Sequence, residues 1–184
     1  MQWRNSTLDA VARPRRIAVA MAFVSVVLLA STPAPKPAPV LVTGTWDLVR
    51  VDNVQPDGTR VQLYGAHPQG RLVLDESGRY SIQIYREDRA RFASKDKNAG
   101  TAEENRDAVQ GCNTHFGTYS VSDGKTITFH IEHASFPNWE GTEQQRLFTL
   151  VGDVLTYTVP TPTTGTAASV GEVQWRRAAS RNDR

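Results

Sequence analysis

The feature that most constrains this chain is a series of short alternating segments joined by connections barely long enough for hairpins. It opens at Gly44-Thr45-Trp46 and runs to Trp175 near the C-terminus. Apolar, β-branched and aromatic residues alternate with polar ones over 46–53, 71–74, 80–85, 116–121, 126–133, 144–150, 154–159 and 172–176, with a shorter candidate at 61–64. Alternation of period two marks half-buried strands. The breaks carry turn chemistry: Gln55-Pro56-Asp57-Gly58, Asp75-Glu76-Ser77-Gly78, Asp123-Gly124 and Val151-Gly152-Asp153. Eight or nine strands so connected run up and down, antiparallel. Such a sheet has two exposed edges, and closing it into a barrel removes them. Eight strands enclose a space that holds side chains or one small ligand. The expected fold is all-β, an eight-stranded up-and-down antiparallel barrel with Trp46 at the start of its first strand.

One connection breaks the hairpin rule. Residues 86–100 are charged and irregular, and Thr101 with Glu104 then matches a capping box. A single short helix is expected from 101 to about 112, with Ala108, Val109 and Cys112 on its small apolar edge. Cys112 is the only cysteine, so no internal disulfide forms and stability must come from packing. About 140 residues are enough for one domain with its own core.

The front of the chain reads differently. Residues 1–16 are polar and basic, 17–30 are apolar except for Ser25, and prolines crowd 33–39. A basic stretch, a short apolar run and small residues make a secretory signal peptide, and the run is short for a membrane span. The expected organisation is a signal peptide over 1–32 (or a retained N-terminal anchor), a Pro/Ala linker over 33–42, the barrel over 43–178 and a tail over 179–184. The protein is expected to be exported, periplasmic or secreted, touching membrane only through an uncleaved N-terminal segment. Residues 1–39 hold five basic side chains (Arg4, Arg13, Arg15, Arg16, Lys36) against Asp9. The other 145 residues keep 16 basic and 18 acidic side chains, a net charge of −2. A folded part without excess positive charge argues against nucleic acid as a partner.

Four stretches give the chain a family likeness: Gly44-Thr45-Trp46-Asp47-Leu48-Val49; Gly78-Arg79-Tyr80-Ser81-Ile82-Gln83-Ile84 with Arg86, Asp88-Arg89 and Arg91-Phe92-Ala93-Ser94; Phe116-Gly117-Thr118-Tyr119; and His130-Ile131-Glu132 followed by Phe136-Pro137-Asn138-Trp139-Glu140-Gly141-Thr142 and Arg146. On these residues the chain resembles the bacterial lipocalin-like domain family, a branch of the calycin-type barrels. The resemblance covers 44–177. It implies an eight-stranded barrel and a small hydrophobic ligand, and it brings no catalytic set and no cofactor. Its leader is a departure, since many members are cytosolic. The resemblance also implies that Trp46 closes one end of the barrel beneath a basic side chain of the last strand, for which Arg176 and Arg177 are the candidates, Arg176 first.

Strand parity sorts the ligand candidates. Ser81, Gln83 and Tyr85 share one face, opposite Tyr80, Ile82 and Ile84. Thr128, His130 and Glu132 oppose Ile127, Phe129 and Ile131. Gln144, Arg146 and Phe148 align. Parity alone puts the apolar face inside, with Gln83, His130 and Arg146 in solvent; the resemblance favours turning these three inward. Tyr85 and Tyr119 each offer a hydroxyl and a ring. Phe136 and Trp139 lie on a loop at one mouth, placed to cap a ligand. The expected ligand residues are therefore Gln83, Tyr85, Tyr119, His130, Phe136, Trp139 and Arg146.

Other chemistry is weaker. His130 and His133, three apart on a strand, fall on opposite faces, which disfavours a metal site. No Gly-x-Ser-x-Gly and no phosphate loop occurs. Glu103 and Glu104 sit where a helix dipole favours negative charge. His130 oriented by Glu132 offers a general base. The expectation is thus a monomeric binder of a small hydrophobic molecule, with no cofactor. Its rivals are an isomerase or cyclase using His130 as acid/base, and a structural envelope domain with a filled barrel.

Overall fold

The computed structural model describes residues 42–164 and 168–179. The expected signal peptide, nearly all of the linker and the end of the tail lie outside the described residues. The elements are β1 (Gly44–Val54), β2 (Arg60–Val61), β3 (Gln69–Leu74), β4 (Arg79–Tyr85), α1 (Ala102–Gln110), β5 (Cys112–Ser122), β6 (Thr126–Ala134), a 3-10 turn (Pro137–Trp139), β7 (Glu143–Val151), β8 (Val154–Val159) and β9 (Val170–Arg177). Apart from β2, each strand pairs antiparallel with its neighbour in the chain, and β9 returns to β1 from Trp46↔Arg177 to Val54↔Val170. The barrel is closed and has eight strands, as the alternation and hairpin spacing predict. The two-residue β2 sits outside the ring, paired only with the end of β1.

Two bulges set which side chains face inward. The β1–β9 register shifts between Leu48 and Arg50. Val49 is the extra residue, so Trp46 and Leu48 face in before it, and Val51 and Asn53 after it. Arg50 and Asp52 then lie outside, where Arg50 pairs with Asp52 and Glu172, and Arg60 reaches the same two carboxylates at 2.8 Å each. The second bulge lies between β5 and β6. Phe116 opposes His133 and Gly117 opposes Ile131, leaving Glu132 unpaired. A Cβ on Gly117 would come within 2.1 Å of the His130 carbonyl oxygen, so only glycine lets the strands approach this closely. The bulge reverses the parity beyond Ile131. His133 therefore joins His130 on the outer face, against the expectation of opposite faces.

The lower half of the barrel is solid. Trp46, Trp175, Leu72, Leu74, Ile127 and Leu155 are each at most 2% exposed, and each contributes roughly 1.5–3 kcal/mol or more by leaving water. The Arg177 guanidinium lies over the Trp46 indole, 4.1 Å from its centre, and donates to the Thr43 carbonyl at 2.8 Å. The Trp46 indole N–H donates to the Val42 carbonyl at 2.9 Å. Gly44 makes room for this stack. Its φ is +131°, and a Cβ there would stand 2.7 Å from Arg177 Nη1. The expectation of Arg176 over Trp46 is corrected, because Trp175 points inward and its odd-numbered neighbour Arg177 shares that face, while Arg176 is exposed.

The excursion between β4 and β5 stays outside. Helix α1 has its expected capping box, with Thr101 and Glu104 each bonding the other's backbone N–H, and it has no buried residue. Its Asp107 holds Arg86, and its Glu104 accepts from Ala93 N–H at 2.8 Å. The two ends of the excursion meet where Arg86 N–H donates to the Gly111 carbonyl at 2.8 Å. Cys112, expected on the helix, is instead the first residue of β5.

Candidate ligand-binding cavity

Above the solid floor the barrel opens into a cavity of about 410 Å³. Its position follows from the strand ends that build it. The C-terminal halves of β1 and β4 supply Val51, Asn53, Ile82 and Ile84. The start of β5 supplies Asn113 and His115, and β7 supplies Gln144 and Arg146. Phe129, Tyr157 and Val173 form its base, Tyr64 comes from the loop after β2, and Trp139 and the 160–164 segment form the rim. Asn53 Nδ2 donates to the Thr164 carbonyl at 2.6 Å and ties that segment to the mouth.

A column of aromatic rings runs from floor to rim. Trp175 meets Tyr157 at 6.4 Å between ring centres, Tyr157 meets Phe129 at 6.2 Å, and Phe129 meets Tyr80 at 4.6 Å. Tyr80 meets His115 at 5.4 Å, His115 meets Trp139 at 5.9 Å, and Trp139 meets Phe136 at 5.4 Å. Four of these six pairs are edge-to-face, and aromatic pairs at such spacings contribute beyond simple area burial.

Polar groups are interspersed with these rings around the cavity. His115 is buried, and its Nδ1 shares a 2.8 Å hydrogen bond with the Tyr80 hydroxyl. Burial, aided by the nearby Arg146 charge, lowers its pKa to about 4, so the ring is neutral at physiological pH. Burial pushes the Tyr157 phenol up to about 12 and raises Tyr80 as well, so both remain neutral donors. Arg146 donates to the Gln145 carbonyl at 2.9 Å and to Gln144 Oε1. Its guanidinium is half-buried, and burial holds its pKa below the ordinary arginine value. Asn113 Oδ1 is buried in the same wall without a hydrogen-bond partner of good geometry.

The sequence candidates fall into three places. Arg146, Trp139 and, beside it, Phe136 are at the cavity or its rim. Tyr119 packs against the core at the floor end and donates its hydroxyl to the Asp75 carbonyl at 2.8 Å, away from the cavity. Gln83, Tyr85 and His130 are on the outer face. Gln83 and Tyr85 border a shallow outer groove with Phe116 and His133, and Arg89 lies over the Tyr85 ring at 4.4 Å. His130 Nδ1 faces Glu143 at 2.9 Å outside the barrel. The inward placement that the family likeness favoured for Gln83 and His130 is thus corrected. Ile82, Ile84, Phe129 and Ile131 fill the inner positions of those strands, and a side chain between two inward neighbours must point out. His115, Tyr64, Tyr157 and Asn113 escaped the sequence reading. Stepping the β5 alternation back from Gly117 would have found His115 and Asn113.

The sequence profile of the lipocalin-like domain matches residues 43–178. No curated protein matches the chain. Similar solved structures include a lipocalin-like protein from Bacteroides uniformis, 15% identical at a TM-score of 0.40, with 74% of this chain and 97% of that one covered. They also include a redesigned β-barrel, 14% identical at a TM-score of 0.36, with 74% and 91% covered. With its profile match spanning the whole barrel, the chain belongs to the lipocalin-like domain family.

Proposed function

We propose that this protein binds one small, mainly apolar molecule in the mouth cavity and leaves it chemically unchanged. The observation that carries this reading is the division of the barrel into a packed floor and a cavity of about 410 Å³. That volume falls within the roughly 300–1,000 Å³ of small-molecule sites, and an apolar lining with a few placed polar groups is their usual composition. Val51, Ile82, Ile84, Phe129 and Val173 supply an apolar base and wall, while about half of the lining is polar, including Asn53, Asn113, His115, Gln144 and Arg146. A purely structural barrel would gain by filling this space, since each buried methylene stabilises by about 0.8 kcal/mol. An isomerase or cyclase acting through His130 has no support in the geometry, because that ring is outside the cavity.

Export is part of the proposal. It rests on the order of basic, apolar and small residues over 1–32. Native mass spectrometry of the protein isolated from its own host tests both parts. A lipid-like mass lost on denaturation, on a chain lacking the leader, is the expected result. A ligand-free chain that also takes up no apolar compound from a broad panel would overturn the binding proposal, and an intact leader on soluble cytosolic protein would overturn the export proposal.

A further inference from the structure

One arginine and one acidic side chain line the cavity among the described residues, Arg146 and Glu143. They stand on opposite faces of β7. Glu143 is 64% exposed and turned outward to His130. Arg146 shares the inward face with Gln144 and Phe148. No carboxylate among the described residues pairs with it; its partners are the Gln145 carbonyl and Gln144 Oε1. A guanidinium carries five N–H donors in a flat fork that fits a carboxylate bidentately, so donors remain for an acceptor in the cavity. A half-buried cation without a counter-charge is costly, and the cost is recovered when an anion enters beside it.

Resting on the cavity-binding reading above, we propose that the ligand is an amphiphilic carboxylic acid, its acid group against Arg146 and its apolar body on Ile82, Ile84, Phe129 and Val173. The rest of the wall agrees. The neighbouring imidazole of His115 is neutral, and the phenols of Tyr80 and Tyr157 keep their protons, so these groups offer hydrogen bonds and no negative charge. The depressed basicity of Arg146 has the same origin as the proposed selectivity: water is scarce around it. A neutral amphiphile of equal size would bury the same apolar surface and leave the guanidinium as it is. A carboxylate gains a charge-assisted pair in a site where water is scarce, which is stronger than the same pair in water.

The test compares acids with alcohols of matched shape on the full chain at neutral pH, by titration calorimetry. The probes are decanoate against decan-1-ol, and 1-naphthoate against 1-naphthalenemethanol, all below their aggregation concentrations. In the wild type each acid should bind about tenfold or more tightly than its alcohol, a difference of about 1.4 kcal/mol. Arg146→Met should bring each acid to its alcohol's affinity, erasing the tenfold step. Equal affinity of acid and alcohol in the wild type overturns the proposal without any variant, so a misfolded Arg146→Met does not rescue it. An acid preference that survives in a folded Arg146→Met also overturns it. Alcohol binding separates this inference from the reading beneath it: bound alcohols without acid preference sink only the inference, and failure of all four probes sinks both.

Discussion

Gly44→Ala is a small change with a large expected effect, because it acts on both the backbone and the cation over Trp46. The backbone at Gly44 has φ of +131°, a region L-residues rarely enter, and holding alanine there costs about 1–3 kcal/mol. The new methyl would also stand 2.7 Å from Arg177 Nη1. The arginine end is flexible and would move away. Doing so forfeits the stack on Trp46 at 4.1 Å, a contact that stabilises by about 0.5–2 kcal/mol. Together the loss is about 1.5–5 kcal/mol, which lowers the melting temperature of a domain this size by roughly 5–20 °C. Thermal unfolding followed by circular dichroism, with Arg177→Gln and the double variant, gives a complete cycle. Gly44→Ala should cost less in the Arg177→Gln background, because there is no stack left to lose. A Gly44→Ala protein that melts with the wild type, or a cycle with no coupling, would refute this account of the glycine-x-tryptophan opening.

Two further expectations concern the core. Trp46→Ala should destabilise by about 3–5 kcal/mol in urea unfolding, and an unchanged midpoint would mean that Trp46 does not fill the floor. His115 titrates near pH 4 when folded against an ordinary 6.5, so the unfolded chain binds its proton first as acid is added. Stability should therefore fall as pH drops from 6.5 towards 4, by about 3 kcal/mol in all, and the His115 term should be flat above 6.5. His115→Gln should remove that part of the slope, and identical pH profiles for variant and wild type would defeat the reasoning.

Much of the barrel was readable before any coordinates, and the reasons are physical. A strand with one face in the core must alternate, so β4, β7 and β8 lie within a residue of their expected bounds. Thr101 and Glu104 announced the helix because a capping box is a local hydrogen-bond requirement. The start of β5 was hidden for the opposite reason. Cys112, Asn113, Thr114 and His115 line a partly polar mouth, so no apolar alternation marks them. β2 shrank to two residues because the chain beyond Val61 turns to place Tyr64 in the cavity wall. The site errors came from letting likeness outweigh parity. Ile127, Phe129 and Ile131 already pointed His130 outward, and Trp175 already selected Arg177 over Arg176. Arg146 is the opposite case: the apolar-inside rule left it in solvent, the likeness turned it inward, and it does share the cavity face with Gln144 and Phe148. The bulge at Glu132 left no trace in the alternation, and Gly117 was its one sequence mark.

Residues 86–111 leave the barrel and return to the same rung, closed by the Arg86–Gly111 hydrogen bond, and the helix they carry buries nothing in the core. The strand ladder is thereby closed without this segment, whose ties to the barrel include Arg89 over the Tyr85 ring and Glu87 bonded to the Tyr64 carbonyl and the His67 N–H. A short turn, an epitope or a whole foreign domain spliced between Arg86 and Gly111 would inherit anchoring points already the right distance apart. The segment is a cassette in geometry, its two ends on one rung while packing holds the ring beneath it.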